Sequence, residues 1–277
     1  MQVAMISDRI LPFAELDPAY LDRGTFFGDG VYEVLRSYAG KIFALEEHLE
    51  RFSNSMNGIG ITGIDIDLVR SRVLKAFETA EIPDAKIYFH VTRGSGLRSH
   101  VSAEDLRPNF FLTVTELHND PEVKLNGVSV STHPDWRWAR CDIKSLNLLA
   151  NVLARQDAAK KGNFEAILVD SGGLITEGSA SAFFAIVGNT LRTAPLTANI
   201  LPSVTRRFVL KTAANRGLKV EEKSLTVEEA INADELFIAV TTQDILPIVR
   251  FDGKRIANGT PGPKTNMLME EFVAMRQ

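Results

Sequence analysis

Four short segments carry residue types that can do chemistry. The first is Trp136-Arg137-Trp138-Ala139-Arg140-Cys141-Asp142-Ile143-Lys144-Ser145-Leu146-Asn147. It reads as a strand over 136–141, then Asp-Ile-Lys-Ser, then a helix. Lys144 is thereby placed at a strand end, where a rigid scaffold can present a site residue. Taken alone, it is as readily one of the 31 basic residues on the surface. The second segment is Leu174-Ile175-Thr176-Glu177-Gly178-Ser179-Ala180-Ser181-Ala182-Phe183-Phe184. Glu177 lies among small residues between two apolar β runs, where a carboxylate is costly unless paired or hydrogen-bonded. It is either a turn carboxylate bonded by Ser179 or the partner of a buried cation.

The third segment is Asn199-Ile200-Leu201-Pro202-Ser203-Val204-Thr205-Arg206. Pro202 suits the first turn of a helix. Free N–H groups at Ser203, Val204 and Thr205 would then form an anion site, although an ordinary capped helix looks the same. The fourth, Val240-Thr241-Thr242-Gln243, puts hydroxyls just past a strand end.

Other motifs lack their context. Gly58-Ile59-Gly60-Ile61-Thr62-Gly63 is a literal G-x-G-x-x-G. A dinucleotide fingerprint needs a strand before it, and 45–56 reads as helix. The glycines read as a helix end and loop, which weighs against an NAD-dependent oxidoreductase. His48, His90, His100, His118 and His133 are scattered, without zincin spacing. Gly178-Ser179-Ala180-Ser181-Ala182 falls short of a nucleophile elbow by its final Ala. Cys141 is the single cysteine, so no disulfide framework or cysteine zinc site is expected, in keeping with a reducing cytoplasm.

The elements that must position these residues follow from periodicity. Strands are expected at 31–38, 42–44, 86–93, 109–116, 127–133, 165–170, 235–240 and 248–251. Residues 174–187 read as further β structure, with a hairpin at 188–189. Helices are expected at 45–56, with Leu45, Leu49, Phe52 and Met56 on one face, and at 65–80 with Asp65 as N-cap. Two more are expected at 147–161 and 202–216. Asn119-Asp120-Pro121 reads as a linker. The pattern predicts two α/β domains, α+β-like, with mixed or antiparallel sheets, because regular strand–helix alternation is missing. The expected division is 1–118, a linker at 119–122, and 123–277.

The 277 residues are 45% hydrophobic and 24% charged, with net charge -4, an ordinary globular composition. No basic excess recommends nucleic acid. No apolar run approaches the roughly 20 residues of a membrane helix, and no secretory signal opens the chain.

Taken jointly, the segments resemble the fold type IV pyridoxal-phosphate enzymes, which include D-amino acid transaminases, branched-chain aminotransferases and aminodeoxychorismate lyases. The resemblance runs from Asp22-Arg23-Gly24 to Phe251-Asp252-Gly253. It is closest to the D-amino acid transaminases, through Phe27-Gly28-Asp29-Gly30-Val31-Tyr32-Glu33-Val34 and Cys141-Asp142-Ile143-Lys144-Ser145-Leu146-Asn147. It implies pyridoxal 5'-phosphate as cofactor, with Lys144 as the Schiff-base lysine and Glu177 as the acid at the pyridine nitrogen. It also implies Arg51, Val204, Thr205 and Thr241 around the phosphate, and Leu201 behind the ring. In Arg93-Gly94-Ser95-Gly96-Leu97-Arg98-Ser99-His100, Arg98 and His100 match an α-carboxylate trap completed by Tyr32, on a loop that in this family reaches the other subunit's site of a homodimer.

The activity implied is transamination between a D-amino acid, such as D-alanine, and a 2-oxo acid, such as 2-oxoglutarate. Aminodeoxychorismate lyase and branched-chain L-aminotransferase are the alternatives within the family; an (R)-selective amine transaminase would leave Arg98 idle. A non-catalytic binding protein on the same fold is the alternative outside it. Two departures stand out: Ser203 where the family usually has Gly, and Ala182 where Asn is common.

Overall fold

The computed structural model describes residues 1–276. A hairpin of β1 (Val3–Ile6) and β2 (Arg9–Pro12) and a short helix α1 (Arg23–Phe27) precede the first sheet. That sheet is antiparallel, in the order β4 (Lys41–Ile42), β3 (Gly30–Tyr38), β5 (Ala85–Thr92), β6 (Asn109–Glu116). Alternation puts Val31, Leu35, Ile87, Phe89 and Val91 in one core. Against it lie α2 (Leu45–Gly58) and α3 (Ile66–Ala80). Helix α2 buries Leu49, Phe52 and Met56, the expected face, and Asp65 caps α3 by accepting the Asp67 N–H at 2.9 Å.

The second sheet has nine strands. Its path runs β12 (Lys219–Glu222), β11 (Thr190–Thr193), β10 (Ala182–Val187), β13 (Glu235–Val240), β14 (Asp244–Phe251), β7 (Val128–Pro134), β8 (Glu165–Val169), β9 (Ile175–Gly178), and β15 (Lys254–Arg255) pairs with β14. Three of its pairings are parallel: β11 with β12, β14 with β7, and β7 with β8. Phe183 and Phe184 show how both faces are buried. Phe183 joins Ile238, Leu246 and Ile248 on one side. Phe184 joins Phe237, Ile245 and Leu268 on the other, under α6 (Val204–Asn215) and α8 (Pro263–Met275). Two short helices, α4 (Pro121–Asn126) and α7 (Val227–Ile231), and the longer α5 (Leu149–Lys160) complete the chain. No helix among the described residues is long and apolar enough to cross a membrane.

Two local expectations are corrected. Residues 136–141 form no strand, so Lys144 does not sit at a strand end. Polar side chains claim that backbone instead: Asp135 accepts the Arg137 N–H at 3.1 Å, Asn199 Oδ1 accepts the Cys141 N–H at 3.1 Å, and Asn199 Nδ2 donates to the Trp138 carbonyl at 2.9 Å. Helix α6 begins at Val204 with Ser203 as its N-cap, so Pro202 precedes the helix. Within the segment read as a linker, Asp120 caps α4 and Pro121 lies in its first turn. The glycines at 58–63 end α2 and form a loop, with Gly60 at φ 65°.

Candidate active site

Lys144 is held from the first sheet, although it follows β7 of the second. Residues 144–146 add a rung beside β3: the Tyr32 N–H donates to the Lys144 carbonyl at 3.0 Å, and the Leu146 N–H to the Gly30 carbonyl at 2.9 Å. Ser55 Oγ of α2 accepts the Lys144 N–H at 3.1 Å. The side chain then lies across Tyr32, with Nζ 3.3 Å from the phenol oxygen and 4.3 Å from the ring centroid.

Lys144, Tyr32, Arg51, Glu177, Leu201, Ser203 and Thr241 line one cavity of about 380 Å³. That volume lies within the ordinary range for a small-molecule or cofactor site. Glu177 is buried on β9 and is paired rather than capped by Ser179. Arg137 Nη1 donates to its Oε1, and the Leu201 N–H to the same oxygen at 3.0 Å. Burial raises the Glu177 carboxyl above its ordinary value, against the pull of Arg137. Arg137 also forks onto Asp135, through Nε at 2.9 Å and Nη2 at 2.7 Å. Against burial, which raises it, these bonds hold Asp135 below the usual carboxylate value.

Arg51 stands on α2 and spans to the second sheet's side of the cavity. Its Nε and Nη2 grip Glu33 at 2.7 and 2.8 Å, and Nη1 donates to the Pro202 carbonyl at 3.1 Å. Nη2 also lies 3.4 Å from His48 Nδ1, which leaves one Nη1 hydrogen over. His48 Nδ1 lies 2.8 Å from Glu33 Oε2. Against burial, the charges of Arg51 and His48 hold Glu33 far below the usual carboxylate range, and burial lowers His48. Beside Pro202, Ser203 Oγ accepts the Arg206 N–H at 3.1 Å. This leaves the Val204 and Thr205 N–H groups without an intrahelical acceptor at the start of a twelve-residue helix. Thr241 follows β13 in a tight turn, where the Gln243 N–H donates to the Val240 carbonyl at 3.0 Å.

Arg98 and His100 do not line this cavity; both are exposed. They sit by Phe27, with the Arg98 guanidinium 5.0 Å and the His100 ring 5.5 Å from its centroid. The structure therefore brings Tyr32, Lys144, Glu177, Arg51, Leu201 and Thr241 together, with Val204 and Thr205 at the adjoining helix start, and leaves Arg98 and His100 outside. Arg137, Glu33 and His48 were missed by the sequence reading. Arg137 lies in the segment that carries Lys144, but its partner Glu177 is 40 residues away.

The sequence profile of the family Amino-transferase class IV matches residues 30–251. The chain belongs to the class IV aminotransferases. A D-alanine aminotransferase of Bacillus licheniformis is 39% identical over 265 residues, which is 94% of this chain and 92% of that protein. A D-alanine aminotransferase of Staphylococcus aureus (strain N315) is 36% identical over 274 residues, 98% of this chain and 97% of that one. In fold, the chain is similar to the branched-chain amino acid aminotransferase of Escherichia coli, with a TM-score of 0.89 at 22% identity, covering 98% of this chain and 93% of that one. The architecture is that of the fold type IV enzymes, and the chain is a pyridoxal 5'-phosphate-dependent aminotransferase.

The donor set fits that cofactor. One cavity offers an amine, a carboxylate and an apolar side chain at Leu201, beside an arginine and a helix start with free N–H groups. Lys144 is the one lysine among the residues lining the cavity. A buried carboxylate suits a protonated ring nitrogen, and a helix N-terminus suits a phosphate.

Proposed function

We propose that the chain transfers amino groups between a D-amino acid, such as D-alanine, and a 2-oxo acid, such as 2-oxoglutarate. The observation that carries the reading is the cavity in which Lys144 Nζ meets Tyr32 Oη at 3.3 Å, with Glu177 and Arg51 lining the same space. The nearly full-length likeness to D-alanine aminotransferases supports the choice of a D-amino acid.

When bound, pyridoxal 5'-phosphate supplies the carbonyl that exchanges amino groups and the ring that accepts the electrons released at Cα. In this reading Lys144 would hold the cofactor and, once released, its Nζ would take the proton from the amino acid's Cα in the first half of the cycle and deliver a proton to the oxo-acid carbon in the second. The Tyr32 hydroxyl holds Nζ in place. Glu177, kept in position by Arg137 and the Leu201 N–H, would partner the ring nitrogen. Arg51, Val204, Thr205 and Thr241 would hold the phosphate, and Leu201 would back the ring. Ser203 still offers its N–H, since an N-cap N–H has no intrahelical acceptor, while its hydroxyl caps α6.

Arg98, His100 and Tyr32 bind the substrate α-carboxylate, with Arg98 able to fork onto both oxygens. The exposure of Arg98 and His100 away from their own chain's cavity supports a homodimer in which each loop serves the partner's site. The two sheets support a division at 1–118 and 123–277 with a connection over 119–122. The lone buried cysteine suits a cytoplasmic enzyme.

Coupled assays with D- and L-alanine and 2-oxoglutarate test the proposal. Turnover of the D-enantiomer with consumption of the oxo acid is expected; turnover of L- but not D-amino acids overturns it. Pyruvate release from aminodeoxychorismate without an acceptor points to the lyase instead.

A further inference from the structure

The loop that carries Arg98 and His100 begins Gly94-Ser95-Gly96, a flexible sequence, yet it is tied down at both ends by one residue. The Arg23 N–H donates to the Gly94 carbonyl at 3.0 Å, and the neighbouring Gly96 N–H donates to the Leu21 carbonyl at 3.0 Å. At the far end, Arg23 Nη1 donates to the Ser99 carbonyl at 2.6 Å and Nη2 to the His100 carbonyl at 3.1 Å. The third point of the guanidinium, Nε, reaches Asp29 Oδ2 at 2.7 Å. Asp29 is fixed in turn by a fork from Arg93, at 2.9 and 3.0 Å. Arg23 is buried, while residues 97–100 are exposed. Its guanidinium also lies 4.8 Å from the centroid of Phe27, the ring against which Arg98 and His100 rest.

We infer that Arg23, with Phe27 as its platform, is a positioning residue for substrate carboxylate binding: it fixes the main chain of the 94–100 loop so that Arg98 and His100 stand in one arrangement before substrate arrives. The inference rests on the reading that Arg98 binds the α-carboxylate. A carboxylate fork requires the guanidinium plane to be set in advance, since each added rotamer of the loop lowers the competent fraction and weakens apparent binding in proportion. Only a planar fork reaches Asp29, Ser99 and His100 together; a lysine presents a single point charge and cannot. Arg23 touches neither the cavity nor Lys144, so its effect belongs in substrate affinity rather than in the proton transfer.

Steady-state kinetics of the cofactor-loaded enzyme test this in a double-mutant cycle of Arg23→Lys and Arg98→Ala. Arg23→Lys is expected to raise KM for D-alanine about tenfold while kcat stays within about threefold and the cofactor absorbance is retained. In the Arg98→Ala background the same change is expected to alter KM by less than about threefold, because coupled residues are not additive. An equal KM rise in both backgrounds, or no rise from Arg23→Lys while Arg98→Ala raises KM, overturns the inference alone. An unchanged KM in Arg98→Ala itself overturns the carboxylate reading and the inference with it. If Arg23→Lys loses its fold and cofactor, Phe27→Leu decides: a KM rise that vanishes in the Arg98→Ala background supports the platform, and an unchanged KM refutes it.

Discussion

Replacing Arg137 by Met isolates what that buried guanidinium does for Glu177. The side chain is 7% exposed and serves two carboxylates at once, Asp135 and Glu177. Removing one partner of a buried ion pair costs about 3–5 kcal/mol, because a charge is left without compensation. Here the lower end applies. Met keeps the length of the apolar stem, the Leu201 N–H still serves Glu177, and Thr176 Oγ1 still serves Asp135 at 2.9 Å. A loss of about 3 kcal/mol is expected near neutral pH, and the sign of its pH dependence follows from burial. Burial raises the Glu177 carboxyl even with Arg137 present, and without that guanidinium the opposing pull is gone. Asp135 likewise loses the bonds that hold it down against burial. In the variant both folded carboxyls retain protons that the unfolded chain releases. Stability therefore falls as pH rises from the ordinary carboxylate value through the raised folded values. The gap between parent and variant should be small near pH 4 and fully open by about pH 8. Urea unfolding of the cofactor-free proteins, followed by circular dichroism from pH 4 to 8, measures it. A gap that does not change with pH, or one below about 1 kcal/mol at neutral pH, refutes this account of the pair.

Four further outcomes are expected. Lys144→Ala should lower transamination at least about 10³-fold and abolish the visible absorbance of the dialysed enzyme, since the cavity offers no other lysine; retained absorbance with unchanged activity removes the lysine from its role. Arg51→Lys should weaken retention of pyridoxal 5'-phosphate on dilution, because a lysine cannot hold Glu33 and the Pro202 carbonyl in one plane. Phe52→Ala should cost about 3–5 kcal/mol in urea unfolding, as Phe52 is fully buried edge-on to Phe89 at 5.0 Å. Gly28→Ala should destabilise by about 1–3 kcal/mol, read from the thermal midpoint, because Gly28 ends α1 at φ 64° and a Cβ there would overlap Asn147 Oδ1.

Local order was legible where a single period decided it. The strand at 109–116 and the helix face of Leu49, Phe52 and Met56 followed from alternation and from 3.6-residue spacing. The stretch at 136–141 misled for a physical reason. Its aromatic residues favour a strand, but Asn199, some 60 residues on, takes its backbone groups. Glu177 was legible as a carboxylate in need of a cation, whereas the cation was not, because the Arg137 pairing exists only in three dimensions. Helix α8 escaped the reading: it packs Leu268 and Phe272 into the core without a strong stripe or a side-chain cap to mark its start.

The placement of Lys144 explains why its neighbours in the chain say so little about it. A lysine in an irregular segment is free to point anywhere unless its backbone is fixed from elsewhere. Here β3 supplies the fixing, through the Tyr32 N–H on one side and the Gly30 carbonyl on the other, and α2 adds Ser55. The same strand presents the Tyr32 hydroxyl to Nζ and, on its opposite face, Glu33 to Arg51. One strand of the first sheet thus aligns the amine and the arginine against Glu177 of the second sheet and against Leu201 and Thr241 in its connecting segments. A change that shifts β3 by one residue would exchange Tyr32 and Glu33 between its faces and separate both pairs at once. The spacing Gly30-Val31-Tyr32-Glu33 is therefore as much a part of the site as Lys144 itself.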